Sequence, residues 1–173
     1  MLEDSPIDHE REQYLSAKRT AAMVVHRDHF MILCRKYIGG VPLLHAAAFR
    51  GEDGSEGIII GYDQFQGGFG QDFTSLISYE IEHEAQELWL TRGQDSVDPY
   101  GPAHYEAIRQ TLTRAHREGN LRAFLAMKQR QMETFAAYGE THAIEELNFY
   151  RTEAERIEIT SKEVIPAPPT TEP

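Results

Sequence analysis

Positive charge is scarce in this sequence, and cysteine is scarcer. Against 28 Asp and Glu there are 17 Lys and Arg, a formal net charge of −11 over 173 residues. Non-specific binding to nucleic acid or to an anionic membrane needs a basic surface, so the charge balance speaks against both partners. The single cysteine, Cys34, excludes an intramolecular disulfide and a cysteine-based zinc cluster. No stretch approaches the roughly 18 apolar residues of a membrane span. The start of the chain, Met1-Leu2-Glu3-Asp4-Ser5, lacks the basic and apolar regions of a signal peptide. These absences lead to the expectation of a cytoplasmic protein. No internal repeat is visible, and no feature specifies an oligomeric state.

What is present is enough chain for a core, with 40% hydrophobic and 26% charged residues. The expected layout is one domain over residues 1–160, followed by a disordered Pro- and Thr-rich tail over 161–173. Ser5-Pro6 reads as a helix start, and nothing breaks the pattern before Gly39-Gly40, so one long first helix is expected. Residues 41–49 and 57–62, separated by Gly51-Glu52-Asp53-Gly54-Ser55, read as a β-hairpin or a pair of short strands. Gln64 to Gly70 reads as a mobile loop. Further helices are expected from Asp72 to Arg92, from Pro99 or Pro102 to Arg117, from Leu121 to Tyr138 and from Thr141 to Ile157. The fold class is therefore α+β, mostly helical, with about five helices and a small sheet.

The helix from Asp72 to Arg92 stands out. At about 100° per residue, Phe73, Ile77, Ile81, Leu88 and Trp89 span one wide arc, extended by Leu76, Tyr79 and Leu90. Only Ser75, Glu82 and Gln86 form an expected wet strip. Yet Glu80, His83, Glu84 and Glu87 fall inside the arc that should be buried. Ionisable groups gathered on a buried face are costly unless their charge is compensated, and a metal ion is the usual compensator.

His83 and Glu87, four residues apart, project from one helical face and can ligate one ion. His104, at the start of the next helix, is the candidate third ligand. Two histidines and a glutamate with an open position form a catalytic zinc set, so the expected cofactor is one Zn ion. Such an ion lowers the pKa of its water to about 7 while a nearby carboxylate moves the proton. Glu84, next to His83, is the candidate catalytic base.

His83-Glu84-Ala85-Gln86-Glu87, with Gly93 and then Ala103-His104-Tyr105-Glu106-Ala107, resembles the zincin-like metalloproteins. More narrowly it is similar to bacterial and phage-borne members with an H-E-x-x-E helix and a downstream A-H-x-x-A. The resemblance covers about Asp72 to Arg117. It implies a minimal zincin-like domain in which His83 and His104 bind metal, Glu84 is the base, and a peptide or protein is the substrate. It also implies a strand beside the helix that aligns an extended substrate, for which Gly57–Tyr62 is the candidate. Glu87 stands where the familiar motif has a second histidine. A carboxylate there still ligates zinc but leaves the bound water less acidic.

Other readings stand beside this one. Glu80, Glu84 and Glu87 can line a polar groove and pair with Arg109, Arg114 or Arg122. Glu80-Ile81-Glu82-His83 has the E-x-x-H spacing of di-iron bundles, but no other histidine has a glutamate three residues before it. A non-catalytic acidic helical adaptor is the third class. His26-Arg27-Asp28-His29 reads as a solvated face, His45 as a core histidine, and His142 with Glu145 and Glu146 as a surface patch.

Overall fold

A computed structural model describes residues 6–40 and 45–163. The Ser5 cap, the start of the first expected strand at 41–44 and the tail from 164 onward lie outside the described residues. The order of elements is α1 (Pro6–Ala21), β1 (Met23–Val25), α2 (Arg27–Tyr37), β2 (Ala46–Arg50), β3 (Glu56–Gly61), α3 (Ile77–Leu90), α4 (Pro102–Arg117), α5 (Leu121–Ala137) and α6 (Ala143–Glu163). The fold is α+β and mostly helical, with a three-stranded sheet.

The long first helix expected from the sequence is instead two helices separated by a strand. Met23-Val24-Val25 pairs in parallel with Ile59-Ile60-Gly61, so the β-branched pair Val24-Val25 goes to the sheet. Asp63, just beyond β3, holds the start of α2: its carboxylate accepts from the Arg27 backbone N–H at 3.0 Å and bonds His26 Nδ1 at 2.6 Å. A cap brought from a segment distant in sequence begins the second helix.

β2 and β3 form the antiparallel hairpin, with Ala47 opposite Ile59 and Phe49 opposite Gly57. The strand order is β1-β3-β2, so β3 is central. Alternation sends Ile59, Phe49, Met23 and Val25 to one face, where they pack with Phe30, Cys34, Leu33 and Tyr37 of α2. Ile58 and Ile60, both without exposed surface, turn to the opposite face, and α3 lies against β2 and β3.

Gln64–Gly70 is not a loop. Gln64–Gly68 makes a π-helical turn that buries Phe65, with Phe69 and Phe73 buried after it. Asp72 then accepts from the backbone N–H of Thr74 at 2.9 Å and from its hydroxyl at 2.7 Å. This starts a 3₁₀ turn, Thr74–Leu76, that runs into α3. Gly93, at φ +82°, follows the end of α3.

The chain divides into two compact units, Met1–Thr111 and Leu112–Pro173. In the second, α5 packs on α6, and the buried residues include Phe124, Met127, Met132, Phe135, Leu147, Tyr150 and Ala154. Lys128 places its ammonium over the Phe124 and Tyr150 rings at 5.6 and 5.2 Å. α6 continues past Ile157 to Glu163. Among the described residues no helix is long and apolar enough to cross a membrane.

Candidate metal centre

α3 is buried on nearly every side, and several of its polar side chains are met by other elements. Of the expected wet strip only Ser75 is exposed; Glu82 and Gln86 are only 4% and 5% exposed. α1 covers them. Arg19 donates to Glu82 at 2.8 Å, Arg11 donates to Gln86 at 2.6 Å, and Gln86 donates to the second Glu82 oxygen at 2.6 Å. The helical period placed these residues on the least apolar arc, but it carried no information about a helix that brings two guanidiniums to them.

One turn before the ligand pair, the buried Glu80 meets His45 Nε2 at 2.8 Å. His45 precedes β2, and its ring lies edge-on to Phe65 and Phe69, with centroids 5.2 and 5.5 Å away. Glu80 is thus paired towards the sheet.

His83, Glu87 and His104 come together. His83 Nε2 lies 3.1 Å from Glu87 Oε1 and 3.2 Å from His104 Nδ1, and His104 Nδ1 meets the same Glu87 oxygen more closely still. The imidazoles cross edge to face at 84°, with centroids 4.9 Å apart. The i, i+4 spacing supplies the first two groups. The third depends on the connector turning back. There the Asp98 side chain accepts from Tyr100 N–H at 2.9 Å, and the Gly101 carbonyl accepts from His104 N–H at 3.1 Å. A Cβ at Gly101 would lie 2.9 Å from an Asp98 carboxylate oxygen.

The site is dry. The side chains of His83, Glu87 and His104 are 5%, 6% and 12% exposed. Burial pushes the Glu87 carboxyl up, but the adjacent His83 charge and the His104 hydrogen bond outweigh it and hold the group down to about 2. Glu87 is therefore a carboxylate. Glu84, directly after His83 and also buried, completes the acidic face.

The residues fit a metal ion. A tetrahedral site with metal–nitrogen bonds of about 2.0 Å sets its ligand atoms about 3.3 Å apart; the two separations from His83 are close to this, and the His104–Glu87 contact is shorter. His83 Nδ1 is buried and has no hydrogen-bond partner among the described residues.

His26 bonds the exposed Asp63, and His142 lies 4.0 Å from Glu145 on an exposed surface. Arg109 bonds Glu106 at 3.3 Å and Arg114 bonds Glu118 at 2.9 Å. The strand proposed to align a substrate, Gly57–Tyr62, is β3, whose two edges are already taken by β1 and β2. It is the central strand, flanked by β2 along Glu56–Ile60 and by β1 along Ile59–Gly61, not the edge strand that the expectation needs. Sequence reasoning missed Arg50, treated below. Its only signal is an arginine ending an apolar strand six residues before Glu56.

No protein-family model, curated protein or solved structure matches the chain.

Proposed function

We propose that the protein is a zincin-like metallohydrolase whose centre is built by His83, Glu87 and His104. The observation that carries this reading is the buried convergence of two imidazole nitrogens and one carboxylate oxygen, drawn from two helices. His83 and His104 would hold the ion through Nε2 and Nδ1 respectively. Glu87 brings the negative charge that a divalent cation needs in a site with little water. When bound, zinc supplies a water acidified towards neutral pH and a Lewis acid for a carbonyl oxygen. Glu84 takes a proton onto its carboxylate and returns it to the leaving nitrogen. The substrate class that suits this set is a peptide or protein amide. One buried cysteine, Cys34, suits a reducing compartment such as the cytoplasm.

Elemental analysis of the purified chain tests the reading first. About one zinc per chain supports it. Two irons would point instead to a carboxylate bundle, and no metal after reconstitution would remove the centre. With zinc bound, Glu84→Gln is expected to abolish peptide hydrolysis while keeping the metal; zinc lost with the carboxylate would sink the assigned role.

A further inference from the structure

Arg50 ends β2, and its guanidinium closes the far end of α3. Nη2 donates to the Leu88 carbonyl at 3.0 Å. Nη1 donates to the Thr91 carbonyl at 2.8 Å, to the Thr91 hydroxyl at 3.2 Å and to the Gln94 carbonyl at 3.2 Å. Nε and Nη2 both reach one oxygen of Glu56, at 3.0 and 2.9 Å. The last carbonyls of a helix have no partner within it, so a cation fixed there satisfies them and opposes the helix dipole.

The same contacts lead to the metal ligands. Thr91 hydroxyl, which accepts from Arg50, donates to the Glu87 carbonyl at 2.7 Å, and Thr91 N–H donates to that carbonyl at 3.0 Å. Thr91 is 2% exposed, so no water competes for these bonds. Gln94, held by the same guanidinium, stands where the chain leaves α3 on its way to His104. One side chain therefore grips the helix beside Glu87 and the connector that delivers His104. Glu56 fixes the guanidinium in turn and is itself held by the Tyr14 hydroxyl and by Lys18 at 2.9 Å.

We infer that Arg50 is the positioning residue of the metal centre, setting the separation of Glu87 and His104 from outside the ligand shell. The inference rests on the metal-centre reading above. Ligand sets tolerate errors of only about half an ångström, and supporting contacts decide whether that tolerance is met. A lysine would bring the charge without the planar fork that spans Leu88, Thr91 and Gln94 together.

The test compares the full-length wild type with Arg50→Ala, Arg50→Lys and Leu33→Ala. The last thins the core under α2, away from α3, and controls for lost stability. Zinc affinity is measured by competition with a chelating dye, and the visible spectrum of the cobalt-loaded protein reports ligand geometry. Arg50→Ala is expected to weaken zinc about 10-fold and to shift the cobalt bands. Arg50→Lys should fall between it and the wild type, and Leu33→Ala should match the wild type in both. Should Arg50→Ala fail to fold, Thr91→Val carries the test, since it removes the hydroxyl link to the Glu87 carbonyl and should weaken zinc in the same direction. Wild-type affinity and an unshifted cobalt spectrum in Arg50→Ala, or in Thr91→Val where it stands in, would overturn the inference while leaving the centre intact. Equal weakening by Leu33→Ala would also overturn it. A wild type that takes up no zinc removes the centre itself.

Discussion

Replacing Glu87 with leucine separates the cost of dismantling the cluster from the loss of metal. In the metal-free protein Glu87 Oε1 receives both imidazoles. Hydrogen bonds to a buried charged group are worth about 1.5–3 kcal/mol each, so losing two costs about 3–6 kcal/mol. The histidines can then bond each other, being 3.2 Å apart already. The new side chain returns about 1.5–3 kcal/mol by burying apolar surface. The expected net loss without metal is about 0–4.5 kcal/mol, a range too wide to decide anything alone. The zinc-dependent part is sharper. At a free concentration 100 times its dissociation constant, zinc stabilises the wild type by about 2.7 kcal/mol. With about 4 °C per kcal/mol for a unit of this size, the melting temperature rises by about 10 °C. Glu87→Leu lacks one of three protein ligands and should show almost none of that rise. Trp89, the only tryptophan, is two residues from Glu87 and 6% exposed. Its fluorescence thus reports unfolding of the unit that holds the centre. Melts run with zinc and with chelator, wild type beside variant, give the double difference. A variant that keeps the full zinc shift would refute Glu87 as a ligand.

Two further outcomes follow from the surroundings of the centre. A Cβ at Gly57 would lie 2.9 Å from two carbons of the Phe49 ring, which stacks on Tyr37 at 4.4 Å and has little room to swing. Gly57→Ala should therefore lower the denaturant midpoint, by about 1–3 kcal/mol of overpacking, with the slope unchanged. Burial pushes the Glu56 carboxyl up, but the Tyr14, Lys18 and Arg50 bonds prevail and set it below the ordinary range. Its contribution is then fully present above the unfolded value of about 4.3 and is lost as pH falls through the lower folded value. The stability gap between wild type and Glu56→Gln should accordingly be constant near neutral pH and shrink on acidification. A gap that widens in acid would reverse the sign and the assignment.

Much of the fold is legible residue by residue. The hairpin is announced by turn chemistry at 51–55 between apolar runs, and α4 and α5 begin at Pro102 and Leu121 as the pattern expects. What could not be read is whatever depends on partners distant in sequence. Met23-Val24-Val25 sits in an unbroken helical pattern, and only pairing with Ile59-Ile60-Gly61 and capping by Asp63 turn it into a strand. The π-helical turn at Gln64–Gly68 hides behind glycines, because glycine spacing signals a loop while the burial of Phe65 and Phe69 holds the turn closed. At the centre, His83 and Glu87 follow from a spacing of four, and His104 from connector length. Arg50 follows from neither, since a helix C-terminus does not say which cation will come to it.

The manner in which α3 is compensated is itself evidence about the centre. Four of its polar residues are buried against known partners, and the partners differ in kind. Glu82 meets Arg19, and Gln86 meets Arg11, two guanidiniums that stay charged at any physiological pH. A sequence that needed only to neutralise a buried carboxylate had that solution to hand and used it on the α1 side. On the opposite side Glu80 meets His45, and Glu87 meets two imidazoles. Histidine is a poor permanent counter-ion, because near pH 7 it holds a proton only while the carboxylate keeps it there. It is, however, a good donor to a divalent cation, so a carboxylate between two such donors suits the proposed metal better than it suits a permanent ion pair. Substituting His104 by arginine would then build the ordinary ion pair: the metal-free protein should keep its stability or gain some, while zinc uptake is lost. A His104→Arg variant that takes up zinc as the wild type does would refute His104 as a ligand.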